Sequence, residues 1–429
     1  MPNANQETSV RRLIILVMAL FFAFGFCTVL VDTLIPKLKA LFALSYAEVM
    51  LTQFCFFGAY FVVSIPAARL LTRVGYLQSV TAGLVIMAVG CLLFTPAASA
   101  GVYPGFLAAL FLLAAGVTIV QVAANPLATS VGDPARAHSR LTLAQAFNSL
   151  ATTVGPIFGA TFILSGTLAA PDPAVLSAAQ LAAIRQQEAS VVQAPFMFIA
   201  GGLLLLAVVC WLLRHWAPDV HPEQAGSNAD AGLWRRPRLA MGALSIFVYV
   251  GAEVSIGSMM VNYLMQPGTL AASPKLAGTL VSVYWGLAMV GRFAGSSILR
   301  RANPGVVLTV CAAGAATLAI VSGMSAGALA AGTLLAVGLC NSIMFPTIFA
   351  LAVEGLTPAQ APKASGLLCL AIVGGAIVPV LTGLVADRAG LGLALLVPVA
   401  CYVWIGTFGQ LSRQRLTLAT DAPATQAPA

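Results

Sequence analysis

Long apolar stretches recur along almost the whole of this 429-residue chain. Each stretch is about 20 residues long, which is enough for a helix to cross the hydrocarbon core of a bilayer. Apolar residues make up 60% of the chain and charged residues only 8%, whereas soluble domains carry roughly 25% charged residues. Such a chain cannot cover a globule with solvated surface. We therefore predict an all-α polytopic membrane protein.

Twelve spans can be drawn, six on each side of a long polar segment. We predict an N-terminal six-helix bundle over 1–214, a cytoplasmic linker over 215–239, a C-terminal six-helix bundle over 240–415 and a disordered tail over 416–429. Residues 176–190 are predicted to form a short amphipathic surface helix. The predicted spans are 13–35, 47–70, 77–97, 103–128, 141–165, 193–214, 240–265, 275–299, 304–323, 327–352, 363–386 and 390–410.

The two halves of the chain resemble a repeat. Gln121 precedes Pro126 by five residues in span four, and Asn341 precedes Pro346 by five residues in span ten. Transporters are commonly built from two such repeats, with the substrate held near the membrane midplane. The pattern therefore indicates two related six-helix bundles.

Basic residues give the chain a net charge of +8, but they collect at alternate ends of the apolar stretches. Cytoplasmic loops carry the excess of Lys and Arg in membrane proteins, so both termini are predicted to be cytoplasmic. The charge thus reports topology, and we expect no nucleic-acid partner. The first apolar run is too long for a signal peptide and is interpreted as a retained span.

Nothing in the sequence indicates an enzyme or a metal protein. The eight cysteines lie in apolar stretches without a CxxC pair, and no GxSxG, HExxH or P-loop motif occurs. We interpret the cysteines as small apolar packing residues. No cofactor is expected beyond a coupling ion.

Asp32 lies near the end of the first apolar stretch. A carboxylate in hydrocarbon costs a few kcal/mol, so an acid in a span is a functional candidate. One interpretation places Asp32 at the outer interface, neutralised by Lys37 and Lys39. The other, which we adopt, makes it a protonatable group facing a water-filled cavity and carrying the cation coupling.

Glu253 occupies the middle of span seven, and Tyr249 lies one turn before it on the same face. In span eight, Tyr284 and Trp285 offer rings that can stack on the apolar face of a sugar. We predict that all four contact substrate. The alternatives are a structural acid paired with a neighbouring helix and aromatic residues that only pack.

Four amides cluster on two adjacent spans. Gln121 and Asn125 are one turn apart in span four, and Gln145 and Asn148 lie on one face of span five. Amides carry donors and acceptors, which suits a neutral hydroxylated ligand. We predict substrate contacts for all four, the alternative being amides that join helices.

Three segments resemble the fucose permease and glucose/galactose transporter branch of the major facilitator superfamily. They are 121-QVAANPLATSVG-132, 140-RLTLAQAFNSLATTVGP-156 and 246-IFVYVGAEVSIGS-258. The resemblance covers most of the chain in order. It implies the twelve-helix major facilitator fold and monosaccharide symport by alternating access.

The resemblance also implies residue roles. The family's coupling acid matches Asp32, and its binding-site amides match Asn125, Gln145 and Asn148. The second functional acid of the fucose-transporting members falls at Gln121, where this chain has an amide.

Where this chain has Val29 and Val31, the family has asparagines. The surroundings of Asp32 are therefore expected to be less polar than those of the coupling acid in the family.

We therefore expect an importer of a small sugar, glucose/galactose or fucose-like, coupled to H⁺ or Na⁺. It is expected to be a monomer in a bacterial inner membrane, with the lipid bilayer as its surroundings. The alternatives are an antiporter that exports a drug or metabolite, and a membrane sensor that binds sugar without moving it. The sequence leaves open which sugar is bound and which ion is coupled.

Overall fold

Every regular element among the described residues is a helix. The computed structural model describes residues 4–42, 46–100, 103–162, 178–217, 233, 235–357 and 359–420. The α-helices are α1 (Ala4–Phe42), α2 (Tyr46–Val74), α3 (Tyr76–Ala100), α4 (Tyr103–Ser130), α5 (Ala137–Phe162), α6 (Ala178–Leu212), α7 (Pro237–Met265), α8 (Pro274–Ile298), α9 (Pro304–Met324), α10 (Gly327–Asn341), α11 (Met344–Val353), α12 (Ala361–Leu370), α13 (Gly374–Ala389), α14 (Leu391–Ala394) and α15 (Leu396–Thr420).

These helices supply eleven segments that are long and apolar enough to cross a membrane, within the described part of the chain. The predicted all-α polytopic class is therefore confirmed. The predicted fifth span, 141–165, is helical as far as Phe162, and its last residues lie outside the described ranges.

The predicted separate surface helix over 176–190 is wrong, because α6 runs without a break from Ala178 to Leu212. Residues 178–194 contain no Gly or Pro and are rich in Ala and Gln, which favour helix. Nothing in this segment ends the helix before it enters the membrane-spanning part.

Span ten is also not the single helix that we predict over 327–352. Helix α10 ends at Asn341 and α11 begins at Met344. Pro346 lacks the N–H that would bond to the carbonyl of Ser342, so the regular ladder is interrupted at this point. Span eleven is likewise divided, by a short 3₁₀ turn at Ala371–Val373 between α12 and α13.

Small residues allow the helices to approach closely. A side-chain carbon on Gly116 of α4 would lie 2.6 Å from the backbone oxygen of Gly83 in α3. Close backbone approach over glycine is a common way to pack helices in a membrane, where no hydrophobic driving force acts between them.

The contacts group the chain into two compact units. The first unit comprises Met1–Ala137, Leu143–Leu233 and Gly355–Ala376, and the second comprises His138–Thr142, Trp234–Glu354 and Ile377–Ala429. Each unit thus contains most of one sequence half and a short piece of the other.

The segment around α12 is held in the first unit by polar and close contacts. Ser365 Oγ donates to the backbone carbonyl of Val122 in α4 at 2.7 Å. A side-chain carbon on Gly366 would lie 2.6 Å from Ala68 of α2. Both contacts place α12 directly against the helices of the first unit.

The predicted linker and tail fall largely outside the described part of the chain. Residues 218–232 of the linker are not described, and α7 begins at Pro237. Helix α15 extends to Thr420, and residues 421–429 lie outside the described ranges.

Candidate functional site

Two groups of buried polar side chains stand out, one in each unit. In the first unit, Gln121 and Asn125 lie on the fully buried stretch of α4 from Leu113 to Ala128. Gln121 is 8% exposed, and the hydroxyl of Tyr60 in α2 donates to its Oε1 at 2.8 Å. This bond fixes the orientation of the amide and leaves its NH₂ group to act as a donor.

Asn125 has an unused acceptor. The residue is fully buried, and its Nδ2 lies 3.9 Å from Sγ of Cys369 in α12. Its Oδ1 is buried and makes no hydrogen bond to the described residues. A buried acceptor without a partner costs about 1–3 kcal/mol, so this oxygen is suited to accept from a ligand hydroxyl or a water molecule.

The amides of α5 differ from each other in their surroundings. Gln145 is buried. Asn148 is half-buried, and its Nδ2 donates to the backbone carbonyl of Phe21 in α1 at 3.1 Å. It lies against Gly25, where a side-chain carbon would collide with the amide. Asn148 therefore joins α1 to α5, which is the alternative role considered for the amides.

Asp32 lies on α1, but its side chain is outside the described residues. The structure thus shows its helical backbone only. One turn earlier on α1, Val29 packs against Gly155 of α5, where there is no room for a side chain.

In the second unit, the predicted pair Tyr249 and Glu253 is in direct contact. The Tyr249 hydroxyl lies 2.8 Å from Glu253 Oε1 and 3.0 Å from the backbone carbonyl of Asn341. Glu253 also faces Arg292 of α8, with Nη2 at 3.7 Å from Oε1. The acid is therefore paired with a neighbouring helix, the alternative considered in the sequence, while 14% of its side chain stays exposed.

The two aromatic residues of span eight have different environments. Tyr284 is fully buried, and its hydroxyl accepts from Asn341 Nδ2 at 2.8 Å. Trp285 is 38% exposed and meets the Tyr284 ring edge-on, with ring centroids 5.1 Å apart. Its indole lies over Gly257, where a side-chain carbon would be 3.4 Å away. Of the two rings, that of Trp285 offers an accessible face.

Asn341 links the predicted residues of this unit. Its backbone carbonyl faces Tyr249 and its side chain bonds to Tyr284, while its Oδ1 is buried without a hydrogen-bond partner among the described residues. The structure therefore brings Tyr249, Glu253 and Tyr284 into one hydrogen-bonded group.

Sequence reasoning missed several members of these groups. Arg292 was visible only as a basic residue inside span eight, and Asn341 only as part of the repeat. Charge within a span is the signal that identifies Arg292, because a buried cation needs a partner. Tyr60 and Cys369 carry no comparable signal in the sequence.

Among the described residues, no group of three or more His, Cys, Asp or Glu side chains is placed to hold a metal ion. All eight cysteines are free thiols. The polar groups of these two sites are amides, phenols and one ion pair, which can exchange hydrogen bonds with a neutral ligand.

Known proteins resemble this chain over nearly its whole length. A profile of the Major Facilitator Superfamily matches residues 16–379. The "Glucose/galactose transporter" of Brucella abortus is 48% identical over 392 residues, which covers 91% of each chain. The "L-fucose-proton symporter" of Escherichia coli is 33% identical over 430 residues, covering 97% of this chain and 96% of that one.

Solved structures agree with these sequence matches. The crystal structure of the E. coli fucose:proton symporter matches with a TM-score of 0.86 and 29% identity, covering 94% of this chain and 99% of the other. The relatives and structural neighbours are transporters, in agreement with a transporter rather than an enzyme. The predicted family resemblance is thereby confirmed, and the chain belongs to the major facilitator superfamily.

Proposed function

We propose that this chain is a secondary active transporter that imports a monosaccharide together with a cation. The observation that carries the proposal is the 48% identity, over 91% of both chains, to a protein named glucose/galactose transporter. The two polar groups support it. A buried amide with an unused acceptor, and an acid beside an accessible indole, suit a neutral ligand with hydroxyls and an apolar face.

Asp32 is the proposed coupling residue, and the proton is the proposed ion. The name of the E. coli relative, L-fucose-proton symporter, supports a proton. Asp32 takes up the proton before the sugar-loaded protein changes the side of the membrane to which it opens. Asn125, Gln121 and Gln145 of the first unit then form hydrogen bonds with the sugar hydroxyls.

Two observations support a location in the bacterial inner membrane. The relatives are bacterial, and the basic residues collect at the ends of the apolar stretches expected on the cytoplasmic side. We accordingly propose a location in the bacterial inner membrane with both termini in the cytoplasm, and we further propose that the protein is a monomer.

Uptake of labelled D-galactose, D-glucose and L-fucose into proteoliposomes tests the coupling. In the wild type, an imposed inward proton gradient should drive accumulation of one of these sugars. Asp32→Asn should abolish accumulation and retain counterflow of labelled sugar, because sugar exchange needs no net proton movement.

Asp387→Asn is the matched control, because Asp387 is an exposed acid at the end of α13. It should accumulate sugar like the wild type. Normal accumulation by Asp32→Asn would contradict the coupling role. Uptake that requires sodium in place of the proton gradient would contradict the proposed ion.

A further inference from the structure

Arg292 connects two parts of the second unit, the acid on α7 and the break in span ten. Its Nη2 lies 3.7 Å from Glu253 Oε1, and its Nε donates to the backbone carbonyl of Ser342 at 3.0 Å. Both charged side chains are largely buried, with 10% of Arg292 and 14% of Glu253 exposed. One guanidinium thus serves an ion pair and a backbone hydrogen bond at the same time.

The Ser342 carbonyl needs this donor because of Pro346. In a continuous helix the N–H of residue 346 would bond to that carbonyl, and proline has no N–H. The regular pattern resumes at once, since the N–H of Thr347 donates to the carbonyl of Ile343 at 3.1 Å. In a membrane interior a freed carbonyl must find a donor within the protein. Nε of Arg292 therefore bonds to the Ser342 carbonyl at the break, and this bond fixes the direction in which the rest of the guanidinium points.

The same contacts orient the carboxylate of Glu253. Arg292 and the Tyr249 hydroxyl both approach Oε1. Among the described residues this leaves Oε2 as the oxygen that can accept from a ligand hydroxyl. The partly exposed ring of Trp285 lies over Gly257, one turn further along α7. A hydroxyl acceptor beside an indole face is the arrangement that a sugar ring requires.

We propose that Arg292 is a positioning residue of the sugar site. It contacts both Glu253 and the Ser342 carbonyl that Pro346 leaves without a helical donor, and it thereby holds Oε2 of Glu253 where this oxygen accepts a hydrogen bond from one sugar hydroxyl. The inference rests on the proposed sugar transport. Arginine is needed for this task because its rigid fork sends donors in two directions, whereas the single ammonium of lysine is a point charge.

The test measures binding of D-galactose, and of its analogues that each lack one hydroxyl, to the purified full-length protein by titration calorimetry. D-Glucose and its deoxy analogues replace them if the wild type prefers glucose. Arg292→Lys and Glu253→Gln should each weaken binding of the parent sugar by roughly 10- to 100-fold, the usual range for a lost charged hydrogen bond. The double variant should bind no more weakly than the weaker single variant, because the two residues act as one unit.

The analogues give a readout that a purely structural role would not change. One analogue lacks the hydroxyl that donates to Glu253, and it should bind equally weakly to the wild type and to Arg292→Lys. Each of the other analogues should bind more weakly to Arg292→Lys than to the wild type. Tyr249→Phe removes a contact to Oε1 without altering charge, and it should show the same analogue profile with a smaller loss.

Three results would overturn the inference. They are wild-type affinity in Arg292→Lys, losses that add in the double variant, and a lowered melting temperature with an unchanged analogue profile. If Arg292→Lys does not fold, Tyr249→Phe decides by its analogue profile. A wild-type protein that binds none of the monosaccharides would instead contradict the proposed function itself.

Discussion

Gln121 and Asn341 occupy equivalent positions in the two sequence halves, and each pairs with a tyrosine from another helix. In the first unit Tyr60 donates to the amide oxygen of Gln121, and in the second unit the amide nitrogen of Asn341 donates to Tyr284. The amide–tyrosine pair is therefore retained in both repeats with the direction of the hydrogen bond reversed. As a result, the amide group left outside this pair is the NH₂ of Gln121 in the first unit and the oxygen of Asn341 in the second.

His138 shows how burial acts on a single titratable group outside the spans. It lies at the start of α5, ahead of the predicted fifth span, and is packed within the second unit near Arg238, which is itself paired with Glu354. Burial, and then the like charge of Arg238, lower the pKa of His138 from 6.5 to about 4. The folded protein thus keeps this imidazole neutral at pH values where the unfolded chain binds a proton.

Stability should therefore fall as the pH is lowered from about 6.5 towards 4, because only the unfolded state takes up the proton in that window. We expect His138→Gln to remove about 2 kcal/mol of the difference in stability between pH 7.5 and pH 5. Melting temperatures of the detergent-solubilised protein at the two pH values provide the measurement.

His215→Gln is the control for this experiment, because His215 is exposed and should leave the pH dependence as it is in the wild type. Equal pH dependence in the wild type and in His138→Gln would show that His138 does not cause the effect.

At the scale of helices, a proline in each repeat leaves one backbone carbonyl without its helical donor, and a side chain from another helix donates a hydrogen bond to that carbonyl. Pro126 frees the carbonyl of Val122, which accepts from Ser365 at 2.7 Å. Pro346 frees the carbonyl of Ser342, which accepts from Arg292 at 3.0 Å. Yet α4 stays continuous from Tyr103 to Ser130, while span ten is broken. Proline alone therefore does not decide whether a helix ends.

Ser365→Ala should lower stability by about 1–3 kcal/mol, because it leaves the Val122 carbonyl buried without a donor. The loss should be smaller in a Pro126→Ala background, where residue 126 regains an N–H that can bond to the same carbonyl. Thermal unfolding of the four proteins in this double-mutant cycle measures the coupling.

Ser258→Ala serves as the control, since the Ser258 hydroxyl is exposed and bonds only within its own helix. It should be close to neutral. Equal losses for Ser365→Ala in both backgrounds would rule out the carbonyl freed by Pro126 as the reason for the effect.

For the whole molecule, the two compact units follow the sequence halves except at His138–Thr142 and Gly355–Ala376. Both exchanged pieces begin in loops that the predicted topology places in the cytoplasm, one after span four and one after span ten. These loops are cytoplasmic if both termini are cytoplasmic, as the distribution of basic residues predicts.

Reporter fusions test this topology. A green fluorescent protein fused after Ala429 should fluoresce, because it folds in the cytoplasm. Alkaline phosphatase fused in the predicted outer connection at 166–191 should be active, because it folds only outside. A dark C-terminal fusion that is well expressed, together with an inactive phosphatase fusion, would reverse the predicted orientation.

The sequence alone determined the membrane class and the approximate position of the eleven spans found in the described part of the chain, and it identified the candidate functional residues. Hydrocarbon requires about 20 apolar residues with internally bonded backbone, so the spans are visible as composition. Charged and amide side chains are costly in that setting, so Asp32, Glu253 and the amides stand out. The roles of Asp32 and of the amides in transport stay predictions.

Only the tertiary structure decided which partners these residues have. Glu253 meets Arg292 of another helix, and Ser365 meets Val122 from a position 243 residues away in the chain. Local periodicity describes one helix at a time, whereas these bonds form because separate helices pack together. For the same reason, no local pattern around Pro346 records that α7 and α8 supply the donors to the Asn341 and Ser342 carbonyls at the break in span ten.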